Sequence, residues 1–249
     1  MDRKAPTLRV SRYRFEPAGG DLSAITFDAP PASAQSWDVF NTFMLEGTVD
    51  RLTKILSRYE LFKQIVETPG DVVEAGVAKG AGLLYWAKLL QIFTPLSKRK
   101  VIGFDTFGEF PAESDADRAF ADAFCREASY SGVSPESLKE AARRTGVEHR
   151  IELVPGDVRR TVKQYVEDNP GFRIALLNLD FDVAPPTMSA LEHLYDRVVT
   201  GGVIVLDEYA LAACTEANAV DDFLHRRGIS VRLRSLTWNM SPTAFFVKP

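Results

Sequence analysis

Cysteine is nearly missing from this chain, with Cys125 and Cys214 the only two in 249 residues. Two thiols cannot build a disulfide framework, and neither lies in a CxxC or Cys/His pairing of the kind that holds zinc. Both are read as structural. Histidine is scarce as well: His149 precedes a strand, His193 and His225 fall on helical patterns as surface positions, and none is expected to act in catalysis. Long apolar runs are also missing, since nothing approaches the ~20 residues that cross a bilayer, and no membrane partner is expected. The basic opening "MDRKAPTLRVSRYRFEPAGG" leads into no apolar segment, so no secretory signal is read and a cytoplasmic location is expected. Neither sign of charge dominates, with 30 basic against 34 acidic residues and a net charge of −4. Without a long basic run there is no electrostatic footprint for nucleic acid, and a small molecule becomes the expected partner.

What is present reads as one large α/β domain, the size a chain of this length supports. Residues 1–48 form an N-terminal arm or extension, rich in Pro and Ala and including the loop-like "DAPPASAQS". The remaining domain, 49–249, opens with "VDRLTKILSRYELFKQIV", where Leu52, Ile55, Leu56, Tyr59, Phe62 and Val66 recur at helical spacing. From there strands and helices alternate: strands "DVVEAGV", "KVIGFD", "IELVPGD", "IALLNLD" and "GGVIVLDEY" are separated by amphipathic helices. Such alternation predicts a doubly wound, Rossmann-like sheet, mostly parallel and covered on both faces. The closing "SVRLRSLTWNMSPTAFFVKP" reads as two strands forming an antiparallel hairpin at one edge. The polar and aromatic insertion at about 107–134 suits either a lid or a pair of surface helices.

In a sheet of this kind a ligand sits beyond the carboxyl ends of the strands, and nearly every predicted strand ends in an acid: Glu74 with Gly76, Asp105, Asp157, Asp180 with Asp182, and Asp207 with Glu208. Singly, each has an ordinary explanation as a loop or helix-cap residue, and for Asp157 the cap is as good a reading as a ligand contact. Together they repel one another unless a cation or a shared proton offsets the charge. Asp180, Asp207 and Glu208 have no His or Cys beside them, a donor set that suits Mg²⁺, Mn²⁺ or Ca²⁺ rather than zinc; solvated carboxylates at loop mouths are the alternative. Glu74 and Asp105 flank "EAGVAKGAG", small residues leading into a helix N-terminus, where Asp105 stands at the place that holds ribose hydroxyls in doubly wound folds. The turn lacks GxGxxG spacing, and an acid two residues before its first glycine is typical of sites for S-adenosylmethionine.

Four stretches, "PGDVVEAGVAKGAG", "GFDTFGEFP", "LNLDFDVAPPTMSALEHLYDRVVTGGVIVLDEY" and "SPTAFFVKP", resemble in order and spacing the macrocin-type sugar O-methyltransferases, S-adenosylmethionine enzymes of antibiotic tailoring. The likeness runs from about residue 49 to the end. It implies that Glu74, Ala75, Gly76 and Gly80 line the methionine end of the cofactor, that Asp105, followed by Thr106 and Phe107, takes the ribose hydroxyls, and that Gly156 and Asp157 lie by the adenine. It further implies that Asp180, Asp207 and Glu208 hold Mg²⁺, with the family's commoner Asp-Asp pair replaced here by Asp-Glu. Asp180 would also lie close to the cofactor.

The activity so implied is metal-dependent transfer of a methyl group to a hydroxyl of a deoxysugar, nucleotide-linked or carried on an antibiotic glycoside, by a homo-oligomer. A sugar hydroxyl is a poor acid near neutral pH, so the site needs a means of lowering its pKa and a proton acceptor. Related catechol enzymes place a lysine three residues after the first metal Asp; that position is Val183 here. A carboxylate is therefore expected as base, Asp180 ahead of Asp182, which would face the other side if its strand ran that far. The alternatives are methylation of a non-sugar small molecule and a nicotinamide-dependent Rossmann oxidoreductase.

Overall fold

The computed structural model describes residues 8–9, 25–26, 34–108, 118, 122 and 132–249. Cys125 and most of the segment expected as a lid, 107–134, lie outside the described residues. The chain divides into two compact units, 1–51 and 52–249. In the first, β1 (Leu8–Arg9) pairs in parallel with β2 (Ile25–Thr26), and α1 spans Ala34–Glu46. That helix falls within the stretch read from the sequence as an arm or extension, for which no element is named. The prolines of "DAPPASAQS" mask its start, although Val39, Phe40, Phe43 and Met44 already recur at helical spacing. Helix α2 (Val49–Lys63) begins in the first unit and continues into the second.

The second unit is a six-stranded sheet in the order β5-β4-β3-β6-β7-β8, built from β3 (Asp71–Ala75), β4 (Val101–Asp105), β5 (Ile151–Pro155), β6 (Ile174–Leu179), β7 (Val198–Leu206) and β8 (Ala244–Val247). All pairs are parallel except β7 with β8. Strand order reverses between β3 and β6, the place where folds of this class bind ligands. Alternation along the strands feeds two cores. Val73, Phe104, Leu177 and Ile204 pack with Val162, Leu191 and Phe223 of helices α5 (Val158–Asp168), α6 (Ala184–Leu194) and α7 (Glu216–Arg226). Val72, Val101, Leu176 and Val205 pack on the other face with Phe62 of α2, Leu83 and Trp86 of α3 (Ala81–Phe93) and Leu138 of α4 (Pro135–Arg144). Each such side chain, once buried, contributes about 1.5 to 3 kcal/mol, which is why both faces of the sheet read as apolar.

Helix starts follow local chemistry. Ser134 caps α4 by accepting from the Ser137 N–H, with Pro135 at the first helical position. Prolines 185 and 186 occupy the first turn of α6, where a missing N–H is harmless. The expected closing hairpin is only half realised: β8 is a strand, whereas the segment before it pairs through a single bridge, Arg234 with Phe245. That segment lies at the sheet edge with its side chains half-buried or exposed, so little packing rewards a longer ladder. Among the described residues no helix is long and apolar enough to cross a membrane.

Candidate active site

Strand register brings the acids together. Ala75 pairs with Leu179, and Leu179 with Leu206, so the residues that follow, Gly76, Asp180 and Asp207, leave the sheet side by side. The Asp180 N–H donates to the Ala75 carbonyl at 2.8 Å and the Asp207 N–H to that of Leu179 at 3.0 Å. One carboxylate oxygen from each of Asp180, Asp207 and Glu208 then lies within 4.8 Å of the others. Asp207 is fully buried and Glu208 nearly so, while Asp180 is half-buried.

Two oxygens in this group, Asp207 Oδ1 and Glu208 Oε2, are buried without a hydrogen-bond partner. A buried acceptor left unpaired costs roughly 1 to 3 kcal/mol, and hard oxygen donors at this separation are the chemistry of a divalent cation site. The residues present therefore fit Mg²⁺. A fourth acid that the sequence reading passed over joins them: Glu216, at the start of α7, is fully buried, its Oε1 accepts from the Glu208 N–H at 3.3 Å, and its Oε2 has no partner. It reads as an ordinary first-turn acid until α7 is docked beside β7.

Helix α2 supplies the opposing charge. Lys54 Nζ donates to Asp207 Oδ2 at 2.9 Å, and the Ser241 hydroxyl donates to the same oxygen. Arg58, one turn on, lies 3.7 Å from Glu74 Oε1 and 3.5 Å from Asp180 Oδ2. Neither cation is picked out in the sequence, yet a signal exists: Lys54 and Arg58 share the stripe of α2 that carries Leu61 and Phe62 into the core. Two cations on an inward-facing stripe require partners.

The charges set the protonation preferences. Burial pushes Asp180 up to about 6 and Asp182 to about 7, with neighbouring carboxylates adding to both. Burial, then Asp207 and Asp180, drive Glu208 and Glu216 well above the ordinary range. Asp207 goes the other way: burial raises it, but the Lys54 ammonium, hydrogen bonds and Arg58 together outweigh that and hold it below its usual value. Lys54 loses solvation, yet Asp180 and Asp207 more than compensate and raise its pKa.

Glu74 is turned into the core, accepting from Trp86 Nε1 and from Asn178 Nδ2, and burial brings it to about 7. The small residues of the turn have two distinct uses. Gly76 has φ +96°, and a Cβ there would come within 1.8 Å of the Asp180 carbonyl oxygen. A Cβ on Gly82 would meet Glu74 Oε1 at 2.0 Å. Gly76 thus lets the chain after β3 lie against that after β6, and Gly82, in the first turn of α3, makes room for the Glu74 carboxylate. The turn then reaches Gly80, which precedes α3 without a side-chain cap, and an uncapped helix start is suited to a polar or anionic ligand group.

Asp105 ends β4 beside that turn. Its Oδ2 accepts from the N–H groups of Val77 at 2.7 Å and Ala78 at 3.0 Å, and its Oδ1 from that of Phe107 at 2.7 Å. Thr106 accepts from the Gly108 N–H at 3.3 Å. The Gly156 N–H donates to the Asp105 carbonyl at 2.9 Å, and Asp157 caps α5 while pairing with Arg159 at 2.6 Å, so its cap reading is realised. Strand β6 stops at Leu179, so alternation does not carry to Asp182. With φ +65°, Asp182 lies instead within electrostatic reach of Asp180 and Asp207. Ala78, Phe107 and Asp182, the non-glycine residues with positive φ among those described, follow β3, β4 and β6. Strained backbone gathers at the ends of adjacent strands, as it does at ligand sites.

Comparison with known proteins agrees with this architecture. Residues 34–245 match the family described as Macrocin-O-methyltransferase (TylF). The chain is 31% identical over 185 residues, 70% of its own length and 68% of the other's, to the 8-demethyl-8-(2,3-dimethoxy-alpha-L-rhamnosyl)-tetracenomycin-C 4'-O-methyltransferase of Streptomyces olivaceus. It is 31% identical over 167 residues, 65% of its length and 63% of the other's, to the Mycinamicin III 3''-O-methyltransferase of Micromonospora griseorubida. Among solved structures, CalS11, a calicheamicin methyltransferase, superposes with a TM-score of 0.68 at 26% identity, covering 94% of this chain and 99% of that one. With the family match spanning most of its length and the fold in agreement, the chain belongs to the macrocin-O-methyltransferase family and is an S-adenosylmethionine-dependent O-methyltransferase.

Proposed function

We propose that the protein transfers a methyl group to a hydroxyl of a deoxysugar, nucleotide-linked or carried on an antibiotic glycoside, in natural-product biosynthesis, and that it needs Mg²⁺ to do so. The observation that carries the metal requirement is the convergence of Asp180, Asp207 and Glu208 with two buried, unpaired oxygens among them. The sugar acceptor is supported by the relatives, whose names specify methylation of a rhamnosyl group in one case and at a 3'' position in another. Family membership removes the nicotinamide alternative.

S-Adenosylmethionine supplies an electrophilic methyl group. Small residues from Ala75 to Gly80 would accept its amino-acid end at the start of α3, Asp105 with Thr106 and Phe107 its ribose, and Gly156 with Asp157 its adenine. Because the Glu74 carboxylate is spent on Trp86, Asn178 and Arg58, we assign it to holding the turn from behind. A divalent ion held by Asp180, Asp207 and Glu208 would supply Lewis acidity, which lowers the pKa of a coordinated hydroxyl. Arg58 offsets the charge on Glu74 and Asp180, and Asp207 is fixed by Lys54 and Ser241. With Asp180 engaged by Arg58 and taken up as a ligand when a divalent ion is bound, Asp182 would be the stronger choice for accepting the hydroxyl proton at its carboxylate.

Residues 1–48 are assigned to an extension, 49–249 to the catalytic domain, and 107–134 to a lid over the acceptor. A homo-oligomer is favoured by the exposed apolar side chains Val39, Phe40, Met44 and Leu45 on α1. The acceptor class is tested by supplying S-adenosylmethionine and Mg²⁺ with panels of nucleotide-deoxysugars, glycosylated polyketides and simple phenols. Methylated sugar rings, located by fragmentation mass spectrometry, are the expected product; turnover confined to phenols would reject the sugar reading.

A further inference from the structure

Asp207 presents its two carboxylate oxygens very differently. Oδ2 takes two donors, Lys54 Nζ at 2.9 Å and the Ser241 hydroxyl, whereas the fully buried Oδ1 takes none. Both donors come from outside the strand and loop that carry the ligand set: Lys54 from α2, and Ser241 from the segment leading into β8, which is tied down where the Thr243 N–H donates to the Asp207 carbonyl at 3.0 Å. The backbone of Asp207 is anchored on its other side by its own N–H to Leu179.

We infer that Lys54 and Ser241 are positioning residues that lock Asp207 by one oxygen so that the other, Oδ1, is the one offered to a divalent cation. This rests on the metal-dependent reading above. Metal-ligating carboxylates are regularly hydrogen-bonded through the oxygen that does not face the ion, and those partners govern affinity. Lys54 brings a charge as well as a donor. It opposes the cation, but among the described residues Glu74, Asp180, Asp182, Asp207, Glu208 and Glu216 gather in the same region, with Lys54 and Arg58 the cations that interact with them. The ammonium faces more than one acid, and the orientation it gives Asp207 is inferred to outweigh its repulsion of the ion.

The test titrates Mn²⁺ into wild-type, Lys54→Met, Lys54→Arg and Ser241→Ala protein by calorimetry, with S-adenosylhomocysteine titrated separately. Loss of either positioning group should weaken Mn²⁺ binding by about tenfold or more, Lys54→Arg should recover part of the loss, and S-adenosylhomocysteine affinity should not change. A general structural defect would instead lower both affinities. Mn²⁺ affinity that is unchanged in both variants, or tighter in Lys54→Met, overturns the inference, the latter because the ammonium would then only oppose the metal. Wild-type protein that binds no Mn²⁺ removes the metal reading together with the inference, whereas wild-type binding with unaffected variants removes the inference alone. Should Lys54→Met fail to fold, Ser241→Ala decides, since losing one hydroxyl leaves the Lys54 ion pair intact.

Discussion

At the scale of single residues, the site is a problem of close approach. Acids from neighbouring strands come together only because glycine stands where a side chain would block them, most sharply at Gly76, whose added Cβ would lie 1.8 Å from the Asp180 carbonyl oxygen. Gly76→Ala therefore combines a backbone clash with a φ of +96° that L-residues rarely adopt. It should destabilise the protein by at least about 2 kcal/mol, read from urea denaturation; a loss below about 0.5 kcal/mol would mean that the two loops separate freely. The acids themselves were legible, since Asp105, Asp180 and Asp207 each close a β-branched or apolar run. Their partners were not. Lys54 and Asp207 are 153 residues apart, and nothing local to either names the other. Ser241 likewise sits in the closing stretch read as a strand hairpin, where nothing marks its hydroxyl for a distant acid.

At the scale of elements, α2 does more than cover the sheet. Its inward stripe carries Arg58 between Glu74 and Asp180 with little exposure, and its guanidinium lies 5.9 Å from the Trp86 ring centroid. Removing one member of a buried ion pair leaves an uncompensated charge, so Arg58→Met should cost about 3 kcal/mol. Neutralising one of its partners as well, in Arg58→Met/Glu74→Gln, should recover about 1 kcal/mol or more. Strict additivity in that double-mutant cycle would show that the two do not interact. Element boundaries in the second unit were largely readable from periodicity, as with α3, whose apolar spacing and small-residue start leave little choice. The failures lie where packing decides rather than pattern. Helix α1 is hidden behind prolines, and the strand expected before β8 shrinks to one bridge at an edge where its side chains remain half-buried or exposed.

At the scale of the whole molecule, a group of buried acids makes stability depend on pH. Asp180, Asp182 and Glu74 have ordinary values of 3.8, 3.8 and 4.5 and rise to about 6, 7 and 7 in the fold. The folded state thus holds protons that the unfolded chain has released, and the stability this contributes is full below about pH 4 and lost as pH rises through 6 to 7. Glu208 and Glu216 act in the same direction. Asp207, held low, acts oppositely: its contribution is present above its ordinary value and fades only as pH falls through its depressed one. Metal-free protein should therefore melt at a lower temperature near pH 8 than near pH 5, and Mg²⁺ should raise the melting temperature more at the higher pH, since binding to the folded state alone stabilises it. Equal melting temperatures with no response to metal would contradict this.

This acidic cluster, with the divalent cation proposed for it, is expected to activate a sugar hydroxyl for methylation. The most direct test is the rate of methyl transfer to a deoxysugar acceptor after divalent ions have been stripped with a chelator and then restored as Mg²⁺. Rate lost on stripping and recovered on restoring, by a factor of about a hundred or more, is the predicted result. An undiminished rate in the presence of chelator would contradict it, and would leave the carboxylates to act without a metal.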